Sequence, residues 1–220
     1  MVAWSAQLIR EIIKDNDVIV RGHFVLTSGA HSNWYFNKDA LYPDTEVISQ
    51  LCLMMAQRCV EHRVEVVVAP EKGGIILSQW VAHHLTQLTN TKVLATYAEK
   101  NTKTTAHSNT FRFTRGYDQK IRGKRILVAE DVFTTGASAR DVVRLVQENG
   151  GEVMGVTGIC NRGNVTAKEV GNVPFFHTLL ASSNFEDDKE LHTWTQNCPL
   201  CLQNKPPHEQ LGHQITNQSI

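Results

Sequence analysis

The sequence predicts an α/β domain built on a central, mostly parallel sheet flanked by helices. Short apolar runs that read as buried strands recur at 64–69, 126–129 and 153–160, and a strand covered on both faces marks a parallel sheet lying between helices. The first two runs each lead through a short turn into a helix-forming segment, 75 to about 88 and 140–146, giving the strand–loop–helix alternation of βα units. Third, 220 residues without a Gly/Pro/Ser-rich linker suit one domain with a full core.

The elements follow in chain order. Trp4, Leu8, Ile12 and Ile13 recur at helical spacing, so 3–14 is expected to form an amphipathic helix. Residues 18–26 and 33–37 read as an aromatic-rich strand ribbon joined by the tight loop 27–32. Pro43, Asp44, Thr45 and Glu46 open a helix that runs to about Cys59, with Asp44 or Thr45 as its cap. The strand 64–69 ends in Pro70-Glu71-Lys72-Gly73-Gly74, where glycines let the backbone approach an anion and Lys72 adds charge. Glu71 beside a polyanion is expected to point away or to bind through a cation.

Residues 92–97 form the next strand, and 99–110 is polar, without periodicity and too long for a simple turn. It carries Lys100, Lys103 and His107, which would attract an anionic group. A ribbon strand at 111–116 and a basic turn at 120–125 lead to the buried strand at 126–129. Asn149-Gly150-Gly151 stops the helix that follows. The strand 153–160 then runs into Asn161-Arg162-Gly163, and 173–181 is a last apolar strand. Beyond a charged stretch at 186–190 the tail is poor in core-forming residues.

Composition excludes several classes. Lys+Arg 22 and Asp+Glu 22 cancel, leaving no electrostatic case for nucleic acid or a membrane surface. The N-terminus lacks the basic flank and apolar core of a signal peptide, and no stretch approaches the roughly 18 apolar residues of a membrane span, so a cytoplasmic protein is expected. Five cysteines are an odd set, and Cys52, Cys59 and Cys160 lie in apolar segments as reduced core thiols would. Cys198-Pro199-Leu200-Cys201 has metal-knuckle spacing, with His192, His208 and His213 near it in sequence. One such pair is half of a structural zinc set; thiols packing the tail or taking part in a subunit contact are the alternative.

The chemistry concentrates at 125–138. Thr134, Thr135, Gly136, Ala137 and Ser138 bring hydroxyls and close-lying N–H groups to a helix N-terminus, which favours a phosphate dianion. Glu130 and Asp131, at the end of the strand, would repel that phosphate, so they should face something else. Vicinal ribose hydroxyls satisfy them, and together the features describe a site for ribose 5-phosphate.

This segment resembles the phosphoribosyl pyrophosphate (PRPP) motif of the type I phosphoribosyltransferases, a hydrophobic run followed by two acids and Thr-Thr-Gly-x-Ser. With it, Phe24-Val25-Leu26-Thr27-Ser28-Gly29 and the downstream Tyr35 and Phe36 resemble the N-terminal hood of the orotate phosphoribosyltransferases. Thr27 stands where that family usually has a lysine, and Thr105 where its loop histidine usually falls. The resemblance implies the type I fold with a small hood at about 1–42, a phosphoribosyltransferase domain over 1–185, and a C-terminal extension over 186–220. It implies PRPP binding by Glu130, Asp131, Thr134, Thr135, Gly136, Ala137 and Ser138 with Lys72 and Gly73. Lys100, Lys103, His107 and Asp131 are implied as catalytic, and Tyr35, Phe36 and Arg162 as base-binding. Mg²⁺ as cofactor, a homodimer, and transfer of the phosphoribosyl group to a nucleobase, orotate first, are implied as well. A purine or other base, or a PRPP-binding regulator without catalysis, are the rival readings. A regulator of transcription would be expected to carry a basic DNA-binding domain, which is missing from this sequence.

Overall fold

A computed structural model describes residues 6–26, 29–101, 111–181 and 192–208. In chain order its elements begin with α1 (Ala6–Asp15), β1 (Ile19–Val25), β2 (His31–Phe36), α2 (Thr45–Gln57) and β3 (Val66–Pro70). There follow α3 (Gly73–Thr89), β4 (Leu94–Lys100), β5 (Phe111–Arg112), α4 (Tyr117–Ile121) and β6 (Arg125–Phe133). The last are α5 (Ala137–Glu148), β7 (Glu152–Asn161), β8 (Phe176–Ala181), β9 (Thr193–Trp194) and α6 (Pro199–Leu202). The chain divides into two compact units, Met1–Ile9 with Asp44–Ser182 and Arg10–Pro43 with Ser183–Ile220.

The larger unit holds a six-stranded sheet in the order β5-β4-β3-β6-β7-β8. All neighbours run parallel except β4 and β5. Every residue of β3 is buried, because helices cover both faces. On one face Val66, Val68, Ile126 and Val128 pack with Ala139, Val142, Val143 and Val146 of α5 and with Ile121 of α4. Those α5 positions share one helical stripe. On the other face α3 lies over β3, β4 and β6 and α2 packs on α3. Burying each such aliphatic side chain stabilises the fold by roughly 1.5–3 kcal/mol.

Local chemistry sets the ends of these elements. Asp44 caps α2, its Oδ1 accepting from the N–H groups of Glu46 at 3.0 Å and Val47 at 3.1 Å. The run into Gly150, at φ +80°, ends α5 as the sequence indicates. Elsewhere the boundaries move. β6 does not stop before its acids but continues through Phe133, because Val132 and Phe133 still pair with Cys160 and Asn161. The ribbon at 111–116 shortens to β5: Gly116, at φ +75°, turns the chain into α4, an element without a clear sequence signature.

The smaller unit is a three-stranded antiparallel sheet, β1-β2-β9. Ser32 of β2 is fully buried, and its hydroxyl donates to the His192 carbonyl at 3.0 Å. β9 then pairs with the start of β2 through His31 and Ser32.

Cys52, Cys59 and Cys160 are buried free thiols. Burial pushes Cys59 and Cys160 up to about 12 and Cys52 higher still, so all three are inert thiols at neutral pH. Among the described residues no helix is long and apolar enough to cross a membrane.

His177 of β8 has a buried Nδ1 without a hydrogen-bond partner. Burial first, then the Arg58 guanidinium, holds its pKa below the ordinary 6.5. The unfolded chain therefore takes up a proton that the folded chain refuses, and stability falls as pH drops below that value. Thermal unfolding at about pH 5.5 should occur at a lower temperature than at about pH 7.5, and His177→Phe should narrow the difference.

Candidate active site

The order of the strands makes a crevice. From β3 the chain moves through α3 to β4 on one side, and from β6 it moves through α5 to β7 on the other. At the carboxyl ends of β3 and β6 the two connections therefore diverge, which is where open α/β sheets take their ligands. Adjacent strands lie about 4.8 Å apart, so the ends of β4, β3, β6 and β7 span roughly 14 Å, enough for a sugar with phosphates on both sides. Lys100 ends β4, Glu71-Lys72-Gly73 follows β3, 130–138 follows the middle of β6, and Arg162 follows β7.

Glu130 and Asp131 reach this crevice inside a paired strand and are 7% and 8% exposed. Asp131 N–H donates to Glu130 Oε1 at 3.0 Å, and Val132 N–H donates to Asp131 Oδ1 at 2.7 Å. A carboxylate has about four acceptor sites, so such an acid can take more than one donor at once. Gly136, at φ +73°, is the N-cap of α5 and turns the chain so that the first N–H groups of the helix face outward. The first turn of α5 holds no acidic residue, which leaves the helix dipole for an external anion. Thr135 and Ser138 are exposed at this turn, and Thr135 Oγ1 accepts from Ala137 N–H at 3.3 Å.

The segment after β7 props the loop. Arg162 and Gly163 N–H groups both donate to the Phe133 carbonyl, at 2.9 and 3.0 Å. A Cβ on Gly163 would collide with the Thr134 carbonyl, and one on Gly136 would press on Val165 at 2.9 Å. Buried Asn161 fixes this arrangement through Nδ2–H to the Val165 carbonyl at 2.7 Å and Oδ1 from Val165 N–H at 2.9 Å. Sequence reasoning missed Asn161 as a positioning residue. Its place between an apolar strand and Arg-Gly was the available signal.

On the other side of the crevice, Gly73 and Gly74 lie inside α3 rather than before it, and both are buried. A Cβ on Gly74 would stand 2.7 Å from that of Ala69, so the helix starts hard against β3. The Glu71–Lys72 peptide bond is cis. Lys72 is exposed at the head of α3, whose first turn also lacks acids. The Glu71 carboxylate is turned to the neighbouring strand: Oε1 accepts from the Lys100 N–H at 2.8 Å. The two segments that carry Lys72 and Lys100 are thereby joined.

The larger unit thus gathers Lys72, Gly73, Lys100, Glu130, Asp131, Thr134, Thr135, Gly136, Ala137, Ser138 and Arg162 at one end of its sheet. Lys103 and His107 lie outside the described residues, as does Thr27. Tyr35 and Phe36 belong to the smaller unit, where Phe36 is 3% exposed and Tyr35 is half-buried beside Phe24. Cys198 and Cys201 are in that unit too, but the histidines beside them are not those near in sequence. His208 stacks on Phe24 and His192 lies against Trp194; His213 is outside the described residues.

The contact between Gly163 and Thr134 can be tested directly. Gly163→Val should displace Thr134 and weaken calorimetric affinity for ribose 5-phosphate by about tenfold or more. Far-UV circular dichroism should stay that of the parent, since the collision is confined to the loop.

Comparison with known proteins agrees with this geometry. Residues 44–183 match the family model described as phosphoribosyl transferase domain. An orotate phosphoribosyltransferase of Carboxydothermus hydrogenoformans is 34% identical over 199 residues, 89% of this chain and 92% of the relative. One from Thermotoga maritima is 32% identical over 90% of this chain and 95% of its own. Among solved structures, the Aeropyrum pernix orotate phosphoribosyltransferase superposes with a TM-score of 0.64 at 20% identity, covering 82% of this chain and 98% of that one. The Mycobacterium tuberculosis enzyme in complex with PRPP gives 0.60 at 20% identity, with the same 82% and 98% coverage. The chain belongs to the phosphoribosyltransferase family, among the orotate phosphoribosyltransferases.

Proposed function

We propose that this protein transfers the 5-phosphoribosyl group of PRPP to orotate, giving orotidine 5′-phosphate and pyrophosphate, a step of pyrimidine biosynthesis. The observation that carries this reading is the juxtaposition of a buried acid pair and an acid-free helix start on one side of the crevice, with Lys72 and Gly73 on the other. A ribose 5-phosphate carrying a pyrophosphate at its anomeric carbon has that distribution of charge.

The roles follow from charge. The turn Thr134–Ser138 with the N–H groups of α5 holds the 5-phosphate, and Glu130 and Asp131 accept from the ribose hydroxyls, which fixes the anomeric carbon toward the base. The anomeric C–O bond breaks with its electron pair leaving on pyrophosphate, and a ring nitrogen of the base forms the new C–N bond while its own proton passes to the departing pyrophosphate. Positive charge grows on the ring as it does so. The buried carboxylates stabilise that charge, while Lys72 and Lys100, with Lys103 and His107 of the long loop, stabilise the departing anion. Mg²⁺ enters as part of the substrate, on the oxygens of PRPP, and the oxygen-donor character of the Glu130 and Asp131 pair suits such a hard cation. Arg162 is the base-binding candidate of the larger unit, supplying a guanidinium for an anionic base.

One observation favours a second reading. Thr27 replaces the lysine usual in the orotate enzymes, which fits transfer to a purine or other base. We further propose a homodimer in which the long loop serves the neighbouring site, and a cytosolic location, which suits buried reduced thiols.

A panel of bases incubated with PRPP and Mg²⁺ and scored for pyrophosphate release separates the readings. Release with orotate alone is expected. Release with another base alone supports the second reading, and none with any base leaves a PRPP-binding regulator. The combined variant Asp131→Asn and Thr135→Val should weaken calorimetric PRPP affinity by roughly a hundredfold, and unchanged affinity would remove the site assignment. For the dimer, mixing inactive Lys103→Ala and Asp131→Asn chains should restore about a quarter of the parent activity, since half the pairs are mixed and each has one intact site.

A further inference from the structure

Outside the crevice, in the smaller unit, four metal-ligating side chains converge: His23, His31, Cys198 and Cys201. Their donor atoms all lie within 4.8 Å of one another. Neither the proposed reaction nor any residue of the crevice uses them.

Each arrives by a local device. The β1–β2 register slips between Arg21 and Phe24, and His23 sits in that irregularity. Such a slip re-aims a side chain that regular alternation would send elsewhere. His31 opens β2 just after the turn in which Leu26 N–H donates to the Ala30 carbonyl at 2.8 Å. Cys198 precedes α6 and Cys201 lies within it, on a single helical turn held by Leu202 N–H to the Cys198 carbonyl at 3.2 Å and Gln203 N–H to that of Pro199 at 3.1 Å. The CxxC spacing places both sulfurs on the same side of that turn.

The distances fit one ion. A tetrahedron with about 2.3 Å to sulfur and about 2.05 Å to nitrogen has edges of roughly 3.6 Å between S and N and roughly 3.3 Å between two N atoms. Cys198 Sγ and Cys201 Sγ stand 3.7 and 3.6 Å from His23 Nε2, and Cys201 Sγ stands 3.3 Å from His31 Nδ1. The two ring nitrogens are closer, 2.7 Å, and would part by about half an ångström around a cation.

The tautomer fits as well. His23 Nδ1 is 2.7 Å from the Lys205 carbonyl, which can only accept, so Nδ1 carries the proton and the neutral ring presents a lone pair at Nε2 toward the cluster. A histidine held by a backbone carbonyl on its far nitrogen is the outer-shell arrangement of metal-binding imidazoles. Reduced thiols packed against apolar neighbours would not require two imidazole nitrogens beside them.

We propose that His23, His31, Cys198 and Cys201 bind one structural Zn²⁺ that fastens the C-terminal segment to the β1–β2 hairpin. Two thiolates and two imidazoles select zinc over hard cations, and four protein ligands close the coordination sphere, which marks a structural rather than a catalytic ion. The proposal is independent of the base and of PRPP. It would also add a staple to a small unit built on a three-stranded sheet, a device small units commonly use.

The test uses the full chain, purified under reductant without a metal-affinity step, with metal measured by mass spectrometry and by a chromogenic chelator after thiol blocking. About one zinc per chain is expected, and Cys201→Ser and His31→Ala should each reduce it to less than roughly one fifth. Co²⁺ exchanged into the parent should give the intense visible bands of a tetrahedral ion together with thiolate-to-cobalt charge transfer, a readout that does not depend on the variants folding. The proposal is overturned by less than about a tenth of an equivalent of zinc in the reloaded parent, by an octahedral Co²⁺ spectrum, or by full zinc in the Cys201→Ser chain.

Discussion

Two carboxylates carried into the buried end of β6 are the constraint on which the crevice depends. Glu130 and Asp131 continue a paired strand whose four preceding residues, Ile126 to Ala129, are apolar and buried, so their charges sit close to the core. Burying an ionised group is unfavourable unless hydrogen bonds compensate it. The backbone N–H groups of Asp131 and Val132 supply part of that compensation. In the proposed binding mode a ligand with adjacent hydroxyls adds to these bonds, where the helix that follows offers its positive end to a phosphate.

Everything around the acids serves to keep their loop in place. Asn161 ties its own strand end to Val165, which lies against Gly136, while the N–H groups of Arg162 and Gly163 hold the Phe133 carbonyl. The loop that carries the hydroxyls is thus fixed by the neighbouring β7 end as much as by α5. Across the crevice Glu71 ties the β3 loop to the root of the long segment after β4. An acid that would disfavour a polyanion is turned aside and given a structural partner.

Much of this was legible in the sequence because it rests on local pattern. Apolar runs located β3, β6 and β7, helical spacing located α5, and Asp44 announced its cap. The acids and the Thr-Thr-Gly turn marked the β6–α5 junction as the candidate sugar-phosphate site. What escaped depends on contacts between segments far apart in the chain. The side on which Glu71 lies is decided by β4, the support from Asn161 by Val165 and the β6 end, and the short β5 by Gly116. The four ligands of the proposed zinc site escaped for the same reason. Cys198 and Cys201 were visible as a pair, but their partners are His23 and His31, more than a hundred and sixty residues away, rather than the histidines near them in sequence.

The meeting of β3 and β6 is the seam along which the larger unit could part. Their pairing runs only from Val66 to Val68, whereas β6 and β7 stay paired from Arg125 to Phe133. Each side of the seam is a strand–helix–strand piece, and a helix of each reaches across it, α3 onto β6 and α5 onto β3. In the proposed binding mode a sugar diphosphate would act as a rivet between the two pieces, so occupancy should lend the protein cohesion out of proportion to the few residues it touches. Without that ligand the join rests on the two crossing helices as much as on its three residue pairs.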